Sequence, residues 1–346
     1  MPADAPRILV IRRRYLGDIA LLGSFFRNLR LHWPGAHITA LVEPAYAPVL
    51  LLNPDVDRVL NLSSGAVGWL RLLRGLRAAK FTHVFDQDNN DRTAILTRLT
   101  GAPFRATLQL ETVARHLPAF YTHTVAVRFD DYHSRSITET YLSLLAAAEV
   151  PLVSREIRLL PRPEDLLATR PQANRSSPKI LLHPGSRSAF RIWPAENFAA
   201  VCDRLQGERR VQVSVVGGPA EQPLVEAICR DAKTAPARIA GTLSVPEFAA
   251  LASQFDLMLC HDSGPMHLAA AVGTTIVALF GSQNATVWGP VGAQHTVLQA
   301  PQPCENCVSP GECIRGDSYR NYCVRRITVE EVFNAVVAKL AAKGLV

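Results

Sequence analysis

The chain has 346 residues, 48% of them hydrophobic, and a formal net charge of +7, and this length exceeds what one hydrophobic core usually organises, so two domains are expected. No apolar run approaches the ~20 residues of a membrane span, and the N-terminal run at 8–11 is too short for a signal peptide, which together predict a cytoplasmic protein. Aromatic residues are sparse and helix-turn-helix, RNA-recognition and basic-zipper patterns are absent, so no nucleic-acid partner is expected.

In the first half of the chain, apolar runs of strand length alternate with helix-length segments of period near 3.6. This alternation indicates parallel βαβ units and a doubly wound α/β sheet. One amphipathic helix is predicted directly after Asp18, because apolar residues recur there from Ile19 to Leu29 at helical spacing. The strands of this half are predicted at residues 8–11, 37–42, 58–62 and 82–86.

Proline accumulates between Pro151 and Pro178, and the helical pattern lapses there, so we place the domain boundary in this segment. The predicted domains are residues 1–165 and 179–346, with a linker at 166–178. Further strands are predicted at 179–183, 212–216, 256–260 and 275–280, which indicate a second doubly wound domain. Capping boxes at Ser244 and Thr328 predict two helix starts. The last helix is assigned to the second domain, with packing back on the first as an alternative.

A buried strand that ends in Asp262-Ser263-Gly264 and leads into a helix is the strongest sign of a ligand site. Free backbone N–H groups and the helix dipole at such a junction suit a diphosphate. The hydroxyl of Ser263 and the imidazole of His267 add donors, and Gly264 allows close approach. In the alternative interpretation, Asp262 or Ser263 only caps the helix and His267 is an ordinary surface histidine.

Three more strand-to-turn junctions occur in the same half. The first contains Ser186 and is followed by Arg187 and Arg191, cations that suit a diphosphate. In the second, a Gly-Gly pair precedes Glu221, which suits ribose hydroxyls, although a first-turn acid that favours the helix dipole explains it equally well. Phe280-Gly281 forms the third. Four such junctions in one domain predict a nucleotide site.

The loop after the first predicted strand contains Arg12, Arg13, Arg14 and Asp18. It has a single glycine and does not match the G-x-G-x-x-G fingerprint, which weighs against hydride transfer with a dinucleotide. Asp18 follows the carboxyl end of a parallel strand, where it is a candidate general base. A helix N-cap without chemistry is the alternative for the same residue.

Six segments together carry a resemblance to a known family. In chain order they read Leu-Gly-Asp-Ile-Ala-Leu (16–21), His-Pro-Gly-Ser (183–186), Arg-Ile-Trp-Pro with Phe198 (191–194), Gly-Gly-Pro-Ala-Glu (217–221), Asp-Ser-Gly-Pro-Met-His (262–267) and Ala-Leu-Phe-Gly (278–281). Their order resembles glycosyltransferase family 9, the ADP-heptose:lipopolysaccharide heptosyltransferases. The resemblance runs from about residue 7 to residue 340, and 262–267 is its most specific part.

The resemblance implies a GT-B architecture, in which two Rossmann-like domains face a cleft. It implies an inverting, metal-independent transfer of heptose from ADP-heptose to the inner-core saccharide of lipopolysaccharide. The first domain is then expected to bind the acceptor and the second the nucleotide sugar. Asp18 becomes the general base, and the expected donor-site residues are Ser186, Arg187, Arg191, Glu221, Asp262, Ser263, Gly264 and His267. Arg191 stands where many relatives have lysine, which keeps the charge but changes its geometry.

Basic residues suggest where an anionic acceptor binds. Arg12, Arg13 and Arg14 lie nearest the predicted site, while Arg71 and Arg74 belong to a basic stripe on an amphipathic segment. That stripe suits an acceptor phosphate or an anionic inner-membrane surface, and the alternative is an ordinary solvated helix face.

Four of the seven cysteines, Cys304, Cys307, Cys313 and Cys323, fall in one loop with spacing suited to a structural Zn²⁺, while no cofactor is expected to take part in catalysis. Three other functions remain open. They are a transferase for another nucleotide sugar, a GT-B-type sugar-nucleotide epimerase, and a non-catalytic regulatory protein that binds a nucleotide sugar.

Overall fold

The computed structural model describes residues 5–113, 117–169, 177–188, 191–239, 241–281, 283–299 and 324–346. The chain divides into two compact units, Met1–Leu160 and Pro161–Val346. The first unit therefore ends five residues before the predicted end of the first domain. A short helix at Pro163–Ala168, placed partly in the predicted linker, belongs to the second unit. None of the helices in the described ranges is long and apolar enough to cross a membrane.

The first unit is built on six parallel strands in the order β3-β2-β1-β4-β5-β6. The strands are β1 (Arg7–Ile11), β2 (His37–Val42), β3 (Arg58–Asn61), β4 (His83–Asp86), β5 (Phe104–Leu110) and β6 (His123–Val127). The helices are α1 (Leu16–Leu21), α2 (Gly23–His32), α3 (Ala47–Leu50), α4 (Ala66–Ala78), α5 (Asp91–Leu99), α6 (Phe129–Ser134) and α7 (Ile137–Ser143). The predicted doubly wound sheet is confirmed.

The second unit repeats this arrangement with the strand order β12-β11-β10-β7-β8-β9. Its strands are β7 (Lys179–His183), β8 (Gln212–Val215), β9 (Ala237–Arg238), β10 (Leu257–His261), β11 (Thr275–Phe280) and β12 (Thr296–Gln299). The helices are α8 (Pro163–Ala168), α9 (Ala195–Arg209), α10 (Gln222–Asp231), α11 (Val245–Ala252), α12 (Gly264–Ala271), α13 (Ala285–Trp288) and, as α14, Val329–Ala342. In each sheet the winding reverses between the two central strands, β1 and β4 or β7 and β10, where ligands of such sheets bind.

Strands β10 and β11 are buried from end to end, and β2 is buried except at His37, as expected for parallel strands covered by helices on both faces. Both predicted capping boxes are confirmed, since Ser244 and Thr328 each accept a backbone N–H from the glutamate three residues on. Helix α14 presents Val332, Val336 and Leu340 to the core of the second unit. This helix therefore contributes to the core of the second unit.

The predicted single helix after Asp18 is in fact two helices, with Leu22 between them at ψ −7°. The hydroxyl of Ser24 donates to the Leu21 carbonyl, a local bond that competes with the helix ladder. A Cβ added at Gly23 would lie 2.9 Å from Cγ2 of Ile157. The glycine at the start of α2 therefore lets the segment around Ile157 pack against the helix.

Candidate active site

Asp18 is the third residue of α1, close to the carboxyl end of β1, and its side chain is largely buried. One carboxylate oxygen, Oδ2, accepts the backbone N–H of Tyr15 at 3.2 Å. This bond gives Asp18 the local role of capping α1, although Tyr15 and not Asp18 is the N-cap residue. The capping role occupies one oxygen and leaves the other to form different contacts.

The second oxygen of Asp18, Oδ1, accepts two hydrogen bonds from distant parts of the unit. Nη2 of Arg12 donates to it at 2.6 Å, and the hydroxyl of Tyr141 donates to it as well. The Arg12 guanidinium carbon lies 4.9 Å from the centre of the Tyr141 ring, and Nη1 donates to the Gln87 carbonyl at 2.7 Å. The carboxylate orientation is therefore fixed by a cation and a phenol.

The protonation states of these two donors follow from their surroundings. Burial raises the pKa of Tyr141 well above 10, and the neighbouring Asp18 carboxylate raises it further against the opposing effect of Arg12. Burial lowers the pKa of Arg12, but its interactions with Tyr141, Asp18 and Asp88 outweigh that effect and raise the pKa overall. Near neutral pH the phenol keeps its proton and the guanidinium its charge, so both remain donors.

Each arginine of the 12–14 run has a carboxylate partner within the first unit. Asp88 accepts the backbone N–H of Arg13 at 2.9 Å and its Nε at 3.2 Å, and it lies 3.5 Å from Nε of Arg12. Glu43 lies 3.4 Å from Nε of Arg14 and 3.8 Å from Nη1 of Arg13. Arg14 is the most exposed of the three, with 44% of its side chain accessible. It is therefore the one best placed to meet a solute.

The turn after β4 depends on Asp86, which is fully buried. Its Oδ1 accepts the N–H groups of Asp88 at 3.0 Å and Asn89 at 3.2 Å, and its Oδ2 accepts the Tyr121 hydroxyl at 2.6 Å. Burial raises the pKa of Asp86 to about 6, despite the Tyr121 hydrogen bond, which lowers it. Asp86 thus fixes the turn that carries Asp88, the partner of Arg12 and Arg13.

At the corresponding point of the second unit, β10 ends at His261 and α12 begins at Gly264. Ser263 is the N-cap residue, but its side chain makes no capping bond, and its buried Oγ has no hydrogen-bond partner among the described residues. Asp262 does not cap the helix either. Nη1 of Arg191 donates to its Oδ2 at 2.8 Å, and the Ser186 hydroxyl donates to its carbonyl at 3.2 Å. The capping alternative therefore does not hold for either side chain.

The electrostatics of this junction combine one buried carboxylate with two arginines. Burial raises the pKa of Asp262, and the charges of Arg191 and Arg187 oppose that shift. Arg187 is exposed, whereas most of the Arg191 side chain is covered. His267 lies in the first turn of α12 and is buried, so the alternative of a surface histidine is wrong.

His261, the last residue of β10, fixes the segment that carries Arg191. Its Nε2 accepts the backbone N–H of Trp193 at 2.8 Å, so Nε2 is unprotonated. Burial, with His183 adding to it, lowers the pKa of His261 to about 3. The ring is consequently neutral at any ordinary pH. Two adjacent residues, His261 and Asp262, thus bind the 191–193 segment to the end of β10.

Glu221 lies against three glycines from two neighbouring junctions. A Cβ added at Gly185 would lie 2.3 Å from Cγ of Glu221, one at Gly217 would lie 2.9 Å from its Cβ, and one at Gly218 would lie 2.9 Å from its Oε2. Such distances are far inside van der Waals contact, so a side chain at any of the three positions would force Glu221 to move. Glycine is needed here to make room for the Glu221 carboxylate.

The structure thus groups Ser186, Arg191, Asp262, Ser263 and Gly264 at one junction of the second unit, with the charge of Arg187 acting on it. It places Arg71 and Arg74 elsewhere, on the exposed face of α4. The four cysteines of the predicted zinc site lie outside the described residues. In the described ranges, no group of three or more His, Cys, Asp or Glu residues is arranged to bind a metal ion.

Sequence reasoning missed Tyr141, Asp88 and His261 as parts of these sites. Asp88 had a usable signal, because the polar run Asp86-Gln87-Asp88-Asn89-Asn90 directly follows an apolar strand. His261 ends another such strand, directly before the predicted donor-site residue Asp262. Tyr141 had no signal of this kind, since it lies 123 residues from Asp18 in the chain.

Comparison with known proteins adds the chemistry of relatives to this geometry. The family model described as glycosyltransferase family 9 (heptosyltransferase) matches residues 69–315. Lipopolysaccharide heptosyltransferase 3 of Escherichia coli is 26% identical over 294 residues, which covers 80% of this chain and 84% of that protein. The matched range of the family model contains the whole Asp262 junction, and Asp18 precedes it.

Solved structures resemble the whole chain. The glycosyl transferase family 9 structure from Veillonella parvula has a TM-score of 0.86 at 25% identity and covers 99% of both chains. The ADP-heptose lipopolysaccharide heptosyltransferase II of Escherichia coli has a TM-score of 0.78 at 20% identity, with 98% of this chain and 99% of that one covered. These likenesses confirm the predicted α/β fold of the GT-B type.

Proposed function

Because the chain belongs to glycosyltransferase family 9, and is therefore a glycosyltransferase, we propose that it transfers heptose from ADP-heptose to the inner-core saccharide of lipopolysaccharide. The observation that carries this proposal is the family match over residues 69–315. The names of the relatives support heptose and lipopolysaccharide as donor sugar and acceptor. The proposed place of the reaction is the cytoplasmic side of the inner membrane.

The donor is proposed to bind at the Asp262 junction of the second unit. Negative charge grows on ADP as the bond between sugar and phosphate breaks, and the N-terminus of α12, with Arg191 and His267, can stabilise it. The bond that Arg191 donates to Asp262 orients the guanidinium, and N–H groups on its other nitrogen atoms suit a phosphate oxygen. These cations and dipoles provide the charge stabilisation that a divalent metal supplies in other transferases, so we propose a metal-independent reaction.

Asp18 is proposed to remove the proton from the attacking acceptor hydroxyl. Attack on the sugar carbon from the face opposite the leaving ADP inverts the anomeric configuration. The bonds from Arg12 and Tyr141 to Oδ1 fix the carboxylate before the acceptor arrives, which is the pre-organisation that general-base catalysis needs. We propose that Arg13 and Arg14 contact the anionic acceptor near this carboxylate, and that Arg12 acts chiefly on Asp18.

The test is incubation of the purified protein with ADP-heptose and truncated lipopolysaccharide cores, followed by mass spectrometry of the product and determination of its anomeric configuration. Addition of one heptose, with inversion and in the presence of a chelator, is the expected result. Transfer only from another nucleotide sugar would show that ADP-heptose is not the donor. Consumption of the donor without acceptor would indicate an epimerase, and donor binding without any turnover would indicate a regulatory protein.

A structural Zn²⁺ at Cys304, Cys307, Cys313 and Cys323 is proposed separately from the reaction. Four thiolates in one loop suit tetrahedral zinc, and such a site stabilises a fold without entering the chemistry. Metal analysis of the purified protein, before and after dialysis against a chelator, tests it. About one zinc per chain, lost together with thermal stability of the second unit, is the expected result, and a metal-free protein of unchanged stability would refute it.

A further inference from the structure

Helices α4 and α5 lie side by side on one face of the first sheet. Leu72 and Leu76 of α4 and Leu96 of α5 enter the same hydrophobic cluster beneath them. The guanidinium of Arg92 in α5 lies 4.6 Å from the ring centre of Trp69 in α4, which links the two helices. Their other faces therefore point away from the sheet on the same side of the unit. We call this shared outer side the α4–α5 surface.

Large apolar side chains are exposed on the α4–α5 surface. Val67 is 73% exposed and Leu70 49% exposed in α4, and Ile95 and Leu99 are exposed in α5. Each pair is spaced by three or four residues, so it follows one face of its helix. Single exposed apolar residues are common on any protein, but four on two adjacent helices exceed that scatter, and we treat them together as one candidate interaction patch.

The charges around this patch are almost all positive. Helices α4 and α5 contain five arginines and a single acidic residue, Asp91. No Asp or Glu occurs between Arg58 and Phe85. Among the cations, Arg71, Arg74, Arg77, Lys80 and Arg98 are exposed. Such long side chains can lie along an apolar surface while their charged ends reach outward to anionic groups.

We propose that the α4–α5 surface binds the anionic phospholipid surface of a membrane. Val67 and Leu70 enter the boundary between headgroups and acyl chains, and the surrounding cations contact the lipid phosphates. Basic residues and apolar residues on one helix face are the combination that interfacial binding requires. The complementary charge identifies the occupant, since a neutral partner would use the apolar residues and leave the cations without a counter-charge.

Cosedimentation of the full chain with vesicles tests this proposal. The vesicles contain phosphatidylcholine alone or phosphatidylcholine mixed with phosphatidylglycerol. Binding is expected only with phosphatidylglycerol and is expected to weaken at high salt, because surface charges are screened. Equal binding to both kinds of vesicle, or none to either, would overturn the proposal. No transfer reaction is measured, so a failure here leaves the proposed function untouched.

Two double variants locate the binding surface. Lys80→Gln with Arg98→Gln should weaken binding about 30-fold, since each lipid-facing cation contributes roughly fivefold. Val67→Ser with Leu70→Ser should weaken it roughly tenfold or more, because apolar area no longer leaves water. Arg71 and Arg74 are kept intact, since they are also predicted to meet the acceptor.

The control is Arg209→Gln with Lys233→Gln, which removes two exposed cations from the second unit. It should bind like the original protein, and melting temperatures should agree among all variants because every changed side chain is exposed. If the control lost as much binding as the Lys80 and Arg98 variant, the attraction would come from net charge, and the α4–α5 surface would not be the site.

Discussion

Removing the hydroxyl of Tyr141 tests how much the orientation of the Asp18 carboxylate matters while Asp18 itself is kept. Tyr141→Phe keeps the ring beneath Arg12 and deletes the bond that the hydroxyl donates to Oδ1, together with the one that it accepts from Nη2 of Arg12 at 3.0 Å. Because the aligned carboxylate acts on the acceptor proton and not on ADP, kcat should fall roughly tenfold, the equivalent of ~1.4 kcal/mol, with unchanged affinity for ADP. Steady-state kinetics and ADP calorimetry measure the two effects.

Tyr132→Phe is the matched control for that variant. Burial raises the pKa of Tyr132, and the charges of Arg12 and Asp18 also act on its hydroxyl. Tyr132 therefore lies near the same ion pair as Tyr141. Its hydroxyl makes no hydrogen bond to Asp18 and its ring contact with His133 is kept in phenylalanine, so kcat should stay within about twofold of the original. A Tyr141→Phe protein with full kcat would show that Arg12 alone suffices to orient Asp18.

Residue-level prediction from sequence succeeded where local spacing carried the signal. The Asp262 junction could be found because an apolar strand, a Ser-Gly turn and a small-residue helix are contiguous. The contact between Asp18 and Tyr141 could not, since it is made by tertiary packing of two segments 123 residues apart. Nor could residue spacing show that the Arg12 side chain bonds to Asp18. An arginine in a loop can be exposed to solvent or can pair with a buried carboxylate, and the sequence does not distinguish the two.

At the scale of elements, the junctions after β7 and β8 depend on glycine to accommodate Glu221. In Gly185→Ala the new methyl carbon would lie 2.3 Å from Cγ of Glu221, so the Glu221 carboxylate must move away from its present position. If Glu221 contacts the ribose, the affinity for ADP should fall about tenfold, in the range of a lost hydrogen bond to a charged group. Titration calorimetry with ADP provides the measurement.

Gly207→Ala is the control, because a Cβ there would meet no atom within 4 Å and the residue lies inside α9. It should leave ADP binding unchanged and raise stability by ~0.5–1 kcal/mol, the usual gain for alanine in a helix. Glu221→Ala should reproduce the loss seen with Gly185→Ala, and the double variant should lose little more. Additive losses would mean that the methyl group acts on something other than Glu221.

The stability of the folded protein depends on pH through Asp86, which fixes the turn between β4 and α5. Its folded pKa of about 6 lies above the ordinary 3.8, so between these values the folded state binds a proton that the unfolded state has lost. Stability contributed by the protonated carboxyl is therefore present below pH ~4 and is lost as the pH rises through about 6. A shift of about two units corresponds to ~3 kcal/mol.

Asp86→Asn removes this titration and keeps an oxygen for the N–H groups of Asp88 and Asn89. Urea unfolding of both proteins across the range from pH ~4 to ~7 should show the original chain losing up to ~3 kcal/mol relative to the variant. Other groups titrate in both proteins and cancel in the difference. Parallel curves would show that Asp86 has an ordinary pKa in the folded protein.

Strands with continuous apolar runs could be predicted from sequence more accurately than strands of mixed composition. Strands β2, β7 and β11 have the predicted bounds, because burial on both faces gives them continuous apolar runs. Strands β5, β6, β9 and β12 were missed, since they mix polar with apolar residues or are very short. The division of the helix after Asp18 was missed because both halves follow the same helical period.

For the whole molecule, the proposed chemistry is divided between the two units. The predicted general base belongs to the first unit, and every residue predicted for the donor belongs to the second. The sequence indicated this division because each half shows its own βαβ alternation. It located the boundary less well, since Pro163–Ala168 is a helix of the second unit although proline is frequent around it. A fold of two doubly wound sheets also does not identify the donor, because proteins with many different functions share that architecture.

Asp18→Asn and Arg191→Gln should separate turnover from donor binding. The first should lower kcat by ~10²- to 10⁴-fold, the usual contribution of a general base, with unchanged affinity for ADP. The second should weaken ADP binding by tenfold or more, since a charge-assisted hydrogen bond is worth ~1.5–3 kcal/mol. In the double variant the affinity should match that of Arg191→Gln alone, because Asp18 is bound to Arg12 and Tyr141 in the first unit and Arg191 to Asp262 in the second. An Asp18→Asn protein that kept more than about a tenth of the original kcat would exclude Asp18 as the general base. A loss of ADP affinity in the same variant would show that Asp18 also contributes to donor binding.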